Sequence, residues 1–112
     1  KGPRFRGRLL VLTGPHNSSA TFTFAELVRR ARLGRLVGET TGGNRRGING
    51  GAYYFLRLPE SGLEADIPLI GYYPPDRQPD AGLEPDVPVP TTIADIAAGR
   101  DAAMERALAL AG

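Results

Sequence analysis

The chain has 112 residues, which is enough for one small domain, and 41% of them are apolar, which is enough for a packed core. Its formal net charge is +2. It contains no cysteine, which excludes disulfides and thiolate metal sites. No apolar run approaches the roughly 20 residues of a membrane span.

The first two predicted elements are a buried strand and an amphipathic helix. Residues 8–13, RLLVLT, form a continuous apolar run before Gly14-Pro15, typical of a strand inside a parallel sheet. Residues 19–33 carry apolar side chains at helical spacing and predict a helix. The apolar face of this helix is predicted to comprise Phe24, Leu27, Val28 and Ala31.

The ends of this helix also have sequence signals. Ser18 or Ser19 is suited to cap its start, because a serine side chain can accept a hydrogen bond from the first turn. Gly34 is suited to end it in the left-handed conformation. Residues 35–38, RLVG, predict a second strand, so strand, helix and strand form a βαβ unit with parallel strands.

The middle of the chain predicts a loop and a hairpin. Residues 40–51, TTGGNRRGINGG, contain five glycines and are predicted to form a loop. Residues 52–58 are rich in β-forming residues, residues 59–62 form a Pro-then-Gly turn, and residues 63–72 return as the partner strand. Pro68 in that strand favours a sheet edge or a bulge.

The last third of the chain predicts an extended loop and two helices. Residues 74–90 contain six prolines, with a short strand predicted at residues 86–89. Residues 92–95, TIAD, resemble a capping box and start a short helix that reaches Ala98. A second helix is predicted over residues 101–111. Its apolar face can include Ala103, Met104, Ala107, Leu108 and Ala111.

Two features could carry chemistry. A serine at the junction of strand and helix lies beside backbone N–H groups that can stabilise an oxyanion, but it needs an adjacent base. On local sequence alone, the Ser18-Ser19 pair is better explained as a helix cap. The glycine-rich loop lacks both the Gly-Lys-Ser/Thr ending of a P-loop and the G-x-G-x-x-G spacing of a dinucleotide site.

Five segments follow one another in a recognisable order: LLVLTGPHNSSATF, LGRLVGETTGGN, YYFLRLPESGLEADIP, DAGLEPDVPV and AGRDAAMERAL. This succession resembles the C-terminal part of the catalytic domain of the S41 serine peptidases. These include the tail-specific or C-terminal processing proteases and their tricorn-like and retinoid-binding-protein-like relatives. The resemblance implies an α/β fold of the ClpP/crotonase-like type. Residues 1–112 would supply one C-terminal portion of that domain, as a fragment with a βαβ unit, a β-hairpin and C-terminal helices.

The resemblance also implies a nucleophile. Ser19 lies 20 residues before Glu39, the separation expected between the nucleophilic serine and the glutamate of a Gly-Glu-x-Thr loop. The N–H of Ala20 would then be one oxyanion donor. Two other registers stay open: Ser18, and Thr23, which takes the nucleophile's place when Glu26 is matched to a Ser-Ala-x-Glu motif.

The resemblance does not supply a base within this chain. Processing proteases activate the serine with a lysine of the glycine-rich loop, and Asn44 occupies that position here. Arginines stay protonated, and Lys1 lies outside the motif. Tricorn-like relatives use a histidine from an earlier part of the domain. His16 is the only histidine here; it is interpreted as a loop residue or local hydrogen-bond partner. Glu39 and Asn44 either shape the site or are structural.

The function implied for the parent protein is serine endopeptidase activity on unfolded or C-terminal peptide segments, through an acyl-enzyme. The isolated fragment is expected to be inactive. One alternative is a non-catalytic relative that binds peptides or apolar ligands. Another is an assembly module with an apolar docking patch.

Further expectations concern partners and location. The arginines at residues 29–35 and 45–46 accompany no nucleic-acid-binding motif, so we expect no nucleic-acid partner. One histidine and scattered carboxylates predict no metal site and no cofactor. Exposed sheet edges are expected to favour a homo-oligomer or strand exchange. Many bacterial members of the family work in the periplasm, so the resemblance implies export.

Overall fold

The computed structural model describes residue 2 and residues 5–112, so the prediction that concerned Lys1 lies outside the described residues. Three helices and seven strands are found in the described part of the chain. In chain order they are β1 (Leu10–Thr13), α1 (Ser19–Arg30), β2 (Arg35–Gly38), β3 (Ile48–Asn49), β4 (Tyr53–Arg57), β5 (Glu64–Pro68), β6 (Gly71–Tyr72), β7 (Val87–Pro88), α2 (Ile93–Ala97) and α3 (Ala102–Ala111).

The three strands β1, β2 and β7 form a parallel sheet in the order β1-β2-β7. Leu10 of β1 is paired with Arg35 of β2, and Val37 of β2 is paired with Val87 of β7. The prediction of a βαβ unit is therefore confirmed. The helix α1 connects β1 to β2, and the α/β fold follows from this arrangement.

The core lies between α1 and the parallel sheet. Phe22, Ala25 and Val28 of α1 are buried and pack with Leu36 of β2 and with Leu83. The predicted face of α1 was wrong in part, because Phe24 and Leu27 are 52% and 46% exposed. The helix carries two apolar stripes, and the stripe of Phe22, Ala25 and Val28 is the one that is buried.

The end of α1 also differs from the prediction. The helix ends at Arg30, and Arg32, with φ of 52°, takes the left-handed conformation expected of Gly34. Arg32 N–H donates to Arg29 O and Leu33 N–H donates to Val28 O, as in a Schellman motif. Gly34 is needed for another reason: a Cβ there would collide with the backbone oxygen of Leu9.

A two-stranded antiparallel ribbon, β4–β5, extends from the sheet, and all ten of its residues are exposed. The predicted second strand of the hairpin, residues 63–72, was too long, because β5 covers only Glu64–Pro68. The chain resumes as β6, which pairs with β3 inside the segment predicted to be a loop. Pro68 therefore lies in an edge strand, one of the two positions predicted for it, because each strand of this ribbon has only one neighbour.

The two C-terminal helices begin with side-chain caps. The predicted capping box of α2 is confirmed: Thr92 accepts from Asp95 N–H at 3.1 Å, and Asp95 accepts from Thr92 N–H at 3.1 Å. The predicted face of α3 was wrong in part. Ala107 is buried where α3 meets β1 and β2, whereas Met104 and Leu108 are 43% and 64% exposed. No helix in the described residues is long and apolar enough to cross a bilayer.

The burial pattern predicts that Leu36→Ala destabilises the protein strongly. Leu36 is 0% exposed at the centre of the sheet, and truncating a buried leucine costs about 2–5 kcal/mol. The matched control is Leu33→Ala, because Leu33 is 60% exposed and should change stability by less than about 0.5 kcal/mol. Urea unfolding followed by circular dichroism measures both. Equal losses in the two variants would contradict the described core.

Candidate active site

A tight turn connects β1 to α1 and presents Ser19. Asn17 Oδ1 accepts from Gly14 N–H at 2.7 Å, and Asn17 N–H donates to Gly14 O at 2.9 Å. The turn therefore holds its shape through its own hydrogen bonds. It places Ser19 beyond the carboxyl end of β1, the edge of a parallel sheet at which ligands and catalytic residues usually lie.

Ser19 has an unusual backbone conformation. Its φ is 52°, in the left-handed region, whereas the preceding residue, Ser18, is the extended N-cap with φ of −125°. The left-handed Arg32 closes a Schellman motif, but no helix-ending motif accounts for Ser19. Such a conformation costs about 1–3 kcal/mol for a residue other than glycine and is concentrated at active sites.

The side chains of Ser18 and Ser19 do not cap the helix. The N-cap Ser18 makes no side-chain cap hydrogen bond. Ser19 is exposed, and no hydrogen bond of its Oγ is found among the described residues. Ser18 is thus the N-cap residue, as predicted, but without the side-chain hydrogen bond of a serine cap. The Ser19 hydroxyl is available for other chemistry.

The backbone N–H of Ala20 is a donor without a partner. The N–H groups of Thr21 and Phe22 both donate to Ser18 O, at 3.2 and 3.4 Å. Within the described part of the chain, no acceptor is found for Ala20 N–H. The first N–H groups of a helix have no intrahelical acceptor, and they carry partial positive charge. A free backbone N–H next to a serine hydroxyl is able to serve as one donor to an oxyanion.

The glycine-rich loop packs directly against the serine turn. Gly43 N–H donates to Asn17 O at 3.2 Å. A Cβ on Gly42 would collide with the carbonyl oxygen of Pro15, and a Cβ on Gly43 would lie 2.7 Å from Phe22 Cβ. Only residues without a side chain allow this approach. The loop thus forms the wall opposite α1.

A cleft of about 540 Å³ opens beside Ser19. Of the residues predicted for the site, Ser19, Ala20, Thr23 and Asn44 line it. His16, Ser18 and Glu39 do not. His16 is exposed in the turn before α1, outside the lining.

Thr23 and Glu39 are engaged elsewhere. Thr23 Oγ1 donates to Ser19 O at 3.2 Å, one turn back along the helix. The carboxylate of Glu39 accepts from Thr91 N–H at 3.3 Å and from Thr91 Oγ1 at 3.4 Å. Glu39 therefore fixes the segment before α2 to the end of the sheet.

Asn44 is held in a small polar network. Its Nδ2 donates to Asp80 Oδ1, and its Oδ1 accepts from Arg46 N–H at 2.8 Å. Arg46 Nη1 also donates to Asp80 Oδ2 at 3.0 Å. The hydrogen bond from Asn44, and then the hydrogen bond and charge of Arg46, hold the pKa of Asp80 below its ordinary value. The Asn44 side chain thus organises the loop.

Sequence analysis missed much of the cleft. One wall includes aromatic and proline side chains, and the helix contributes two charged residues to the other. These residues are Tyr72, Tyr73, Pro74, Pro75, Glu26 and Arg30. The helical residues could have been found, because residues 19, 23, 26 and 30 share one face of α1. The tyrosines and prolines reach the cleft only through the pairing of β3 with β6.

Titratable groups at the cleft are few. The lining includes Glu26, arginines and tyrosines, but neither histidine nor lysine. Among the described residues, no group of three or more histidine, aspartate or glutamate side chains could hold a metal ion. The cleft therefore presents a serine hydroxyl and a backbone N–H without a partner, and no strong base is found among its described lining.

Comparisons with known proteins bear on this arrangement. The sequence profile of peptidase family S41 matches residues 1–89. The tricorn protease superposes with a TM-score of 0.69 and 22% identity, over 94% of this chain and 10% of that chain. A protein of Parabacteroides merdae ATCC 43184, classed as a peptidase, superposes with a TM-score of 0.65 and 29% identity, over 96% of this chain and 32% of that chain. No curated protein matches. This chain thus spans about a tenth of the tricorn protease chain and about a third of the Parabacteroides merdae chain.

The polar network predicts that Asn44→Ala raises the pKa of Asp80, because the largest cause of its lowering is removed. Carbon-13 NMR titration of the Asp80 carboxyl measures this change. Gln78→Ala is the control: it removes a hydrogen bond to Arg45 that does not involve Asp80 and should leave the titration unchanged. A lowered folded-state pKa stabilises the fold above the ordinary value of 3.8. That contribution is lost as the pH falls through the folded-state pKa. An unmoved pKa in Asn44→Ala would show that the network does not form.

Proposed function

This chain belongs to peptidase family S41, and on that premise we propose that it supplies the nucleophile of a serine endopeptidase. The protein would hydrolyse peptide bonds in unfolded or C-terminal segments through an acyl-enzyme. Residues 1–112 would form the C-terminal portion of a ClpP/crotonase-like catalytic domain. One observation carries the proposal: Ser19 is held at a φ of 52° with its Oγ uncommitted at a cleft.

The proposed reaction has two halves. Ser19 Oγ attacks the peptide carbonyl carbon while a base takes its proton, and the Ala20 N–H stabilises the resulting oxyanion. The base then returns the proton to the leaving amine as the C–N bond breaks, which leaves an acyl-enzyme. A water attacks the ester carbonyl, releases the carboxylic acid and regenerates the Ser19 hydroxyl.

We propose that the base and a second oxyanion donor come from outside this chain. Asn44 cannot accept a proton at neutral pH, and the arginines at the cleft stay protonated. A histidine or lysine from another part of the protein would complete the site, with a glycine pair as the second donor. On this proposal the 112-residue chain alone is inactive.

The second candidate is a peptide-binding relative that does not cleave its ligand. One observation favours it: Asn44 stands where a processing protease has lysine, and its side chain is committed to Asp80. The cleft and its peptide ligand would be the same in both candidates. They differ only in whether a base reaches Ser19.

Association between copies is a further part of the proposal. Both strands of the β4–β5 ribbon are edges, and all their residues are exposed. Unpaired strand edges are templates for pairing with another chain. We therefore propose that copies of the protein associate through these edges.

Labelling with a fluorophosphonate tests the nucleophile in the longest natural form of the protein. The unaltered protein should be labelled, and Ser19→Ala should lower the labelling rate at least about 100-fold, because the attacking oxygen is gone. Ser18→Ala and Thr23→Ala are matched controls that should keep their labelling. Mass spectrometry locates the adduct.

The possible results separate the candidates. Labelling that survives Ser19→Ala but disappears in Ser18→Ala or Thr23→Ala would assign the nucleophile to another register. Failure to label the unaltered protein would favour the peptide-binding relative.

A further inference from the structure

One face of α1 runs along the cleft from the nucleophile outward. Ser19, Thr23, Glu26 and Arg30 all line the cleft, at intervals of four, three and four residues. At a rise of 1.5 Å per residue, Arg30 lies about 16 Å from Ser19 along the helix axis. A peptide strand advances about 3.3 Å per residue, so that distance corresponds to about five residues of an extended peptide.

Two guanidinium groups and one carboxylate face this cleft. Arg30 makes no hydrogen bond or ion pair that is found among the described residues, although Glu26 lies one helical turn before it. Arg45 donates one N–H to Gln78 Oε1 at 3.2 Å, which leaves others of its five donors available. The lining therefore has an excess of positive charge.

The favourable interaction with the helix dipole does not by itself account for the position of Arg30 at the cleft. Arginines in the last turn of a helix complement its dipole, and α1 has two there, Arg29 and Arg30. Arg29 turns away from the cleft and donates to Glu84 O at 2.9 Å. One of the two arginines is thus anchored on the protein, while the other faces the cleft.

We infer that the cleft selects peptides that carry a carboxylate about five residues from the bond attacked by Ser19, with Arg30 as its main partner and Arg45 as a second. A guanidinium group suits this ligand because its fork of donors matches a carboxylate. The distance from the scissile bond rests on the proposed function. The preference for a carboxylate requires only that a peptide occupies the cleft.

Binding of fluorescent peptides tests the inference. The protein carries Ser19→Ala so that no turnover occurs, and fluorescence anisotropy measures the affinity. Two extended peptides differ only in one internal residue, glutamate or glutamine, and both have amidated C-termini. A third, with the glutamine and a free C-terminus, separates a side-chain carboxylate from a terminal one. At low salt, a carboxylate peptide should bind about tenfold more tightly than the neutral one, because one charge-assisted pair is added.

Matched variants separate recognition from a structural effect. Arg30→Gln should abolish the preference for the carboxylate. Arg29→Gln changes the net charge and the same helical turn equally but should keep the preference. Glu26→Gln should strengthen it, since it removes a negative charge in the lining that repels the carboxylate of the peptide.

The inference is overturned by equal binding of charged and neutral peptides, by an equal effect of Arg29→Gln and Arg30→Gln, or by no binding of any peptide. Failure of the proposed function would look different. A protein that is not labelled by the fluorophosphonate but still discriminates glutamate from glutamine would be a carboxylate-selective peptide binder.

Discussion

The contact between the glycine-rich loop and the serine turn is the constraint on which the site depends. Gly42 and Gly43 have no side chains, so the loop backbone can reach Pro15 and Phe22. Phe22 also belongs to the core. The loop, the turn and the core are therefore one packed unit. A side chain at either glycine would push the two walls of the cleft apart, and the geometry around Ser19 would change with them.

Local patterns predicted the part of the fold that depends on neighbours in sequence. The βαβ unit followed from a buried run, a helical period and a second buried run, and the strand Arg35–Gly38 has the predicted bounds. The buried face of α1 was predicted wrongly in part. Both apolar stripes of the helix have helical spacing, and the spacing does not tell which of them packs against the sheet. The β3–β6 pair was missed because two residues are too short to give a pattern.

The site residues were predicted in another way. The resemblance to the S41 peptidases singled out Ser19, Ala20, Thr23 and Asn44, and all four line the cleft. The partners of the supporting residues come from far along the chain. Glu39 is bound by Thr91, 52 residues away, and Asn44 by Asp80, 36 residues away. No spacing in the sequence announces such pairs, since they depend on how the loops return to the sheet.

In the described residues, the β4–β5 ribbon has an exposed apolar face, and the cleft has no base to activate Ser19. The radius of gyration is 18.0 Å, against about 13 Å for a compact domain of about 100 residues, and every residue of the β4–β5 ribbon is exposed. On one of its faces Tyr54, Leu56 and Ile67 are 57%, 39% and 40% exposed, and a two-stranded ribbon is marginally stable alone. The cleft likewise lacks a strong base among its described lining. Under the proposed function, further protein that covered the ribbon and brought the base to Ser19 would link folding to activity. On that proposal, the serine would become reactive only in the fully packed molecule.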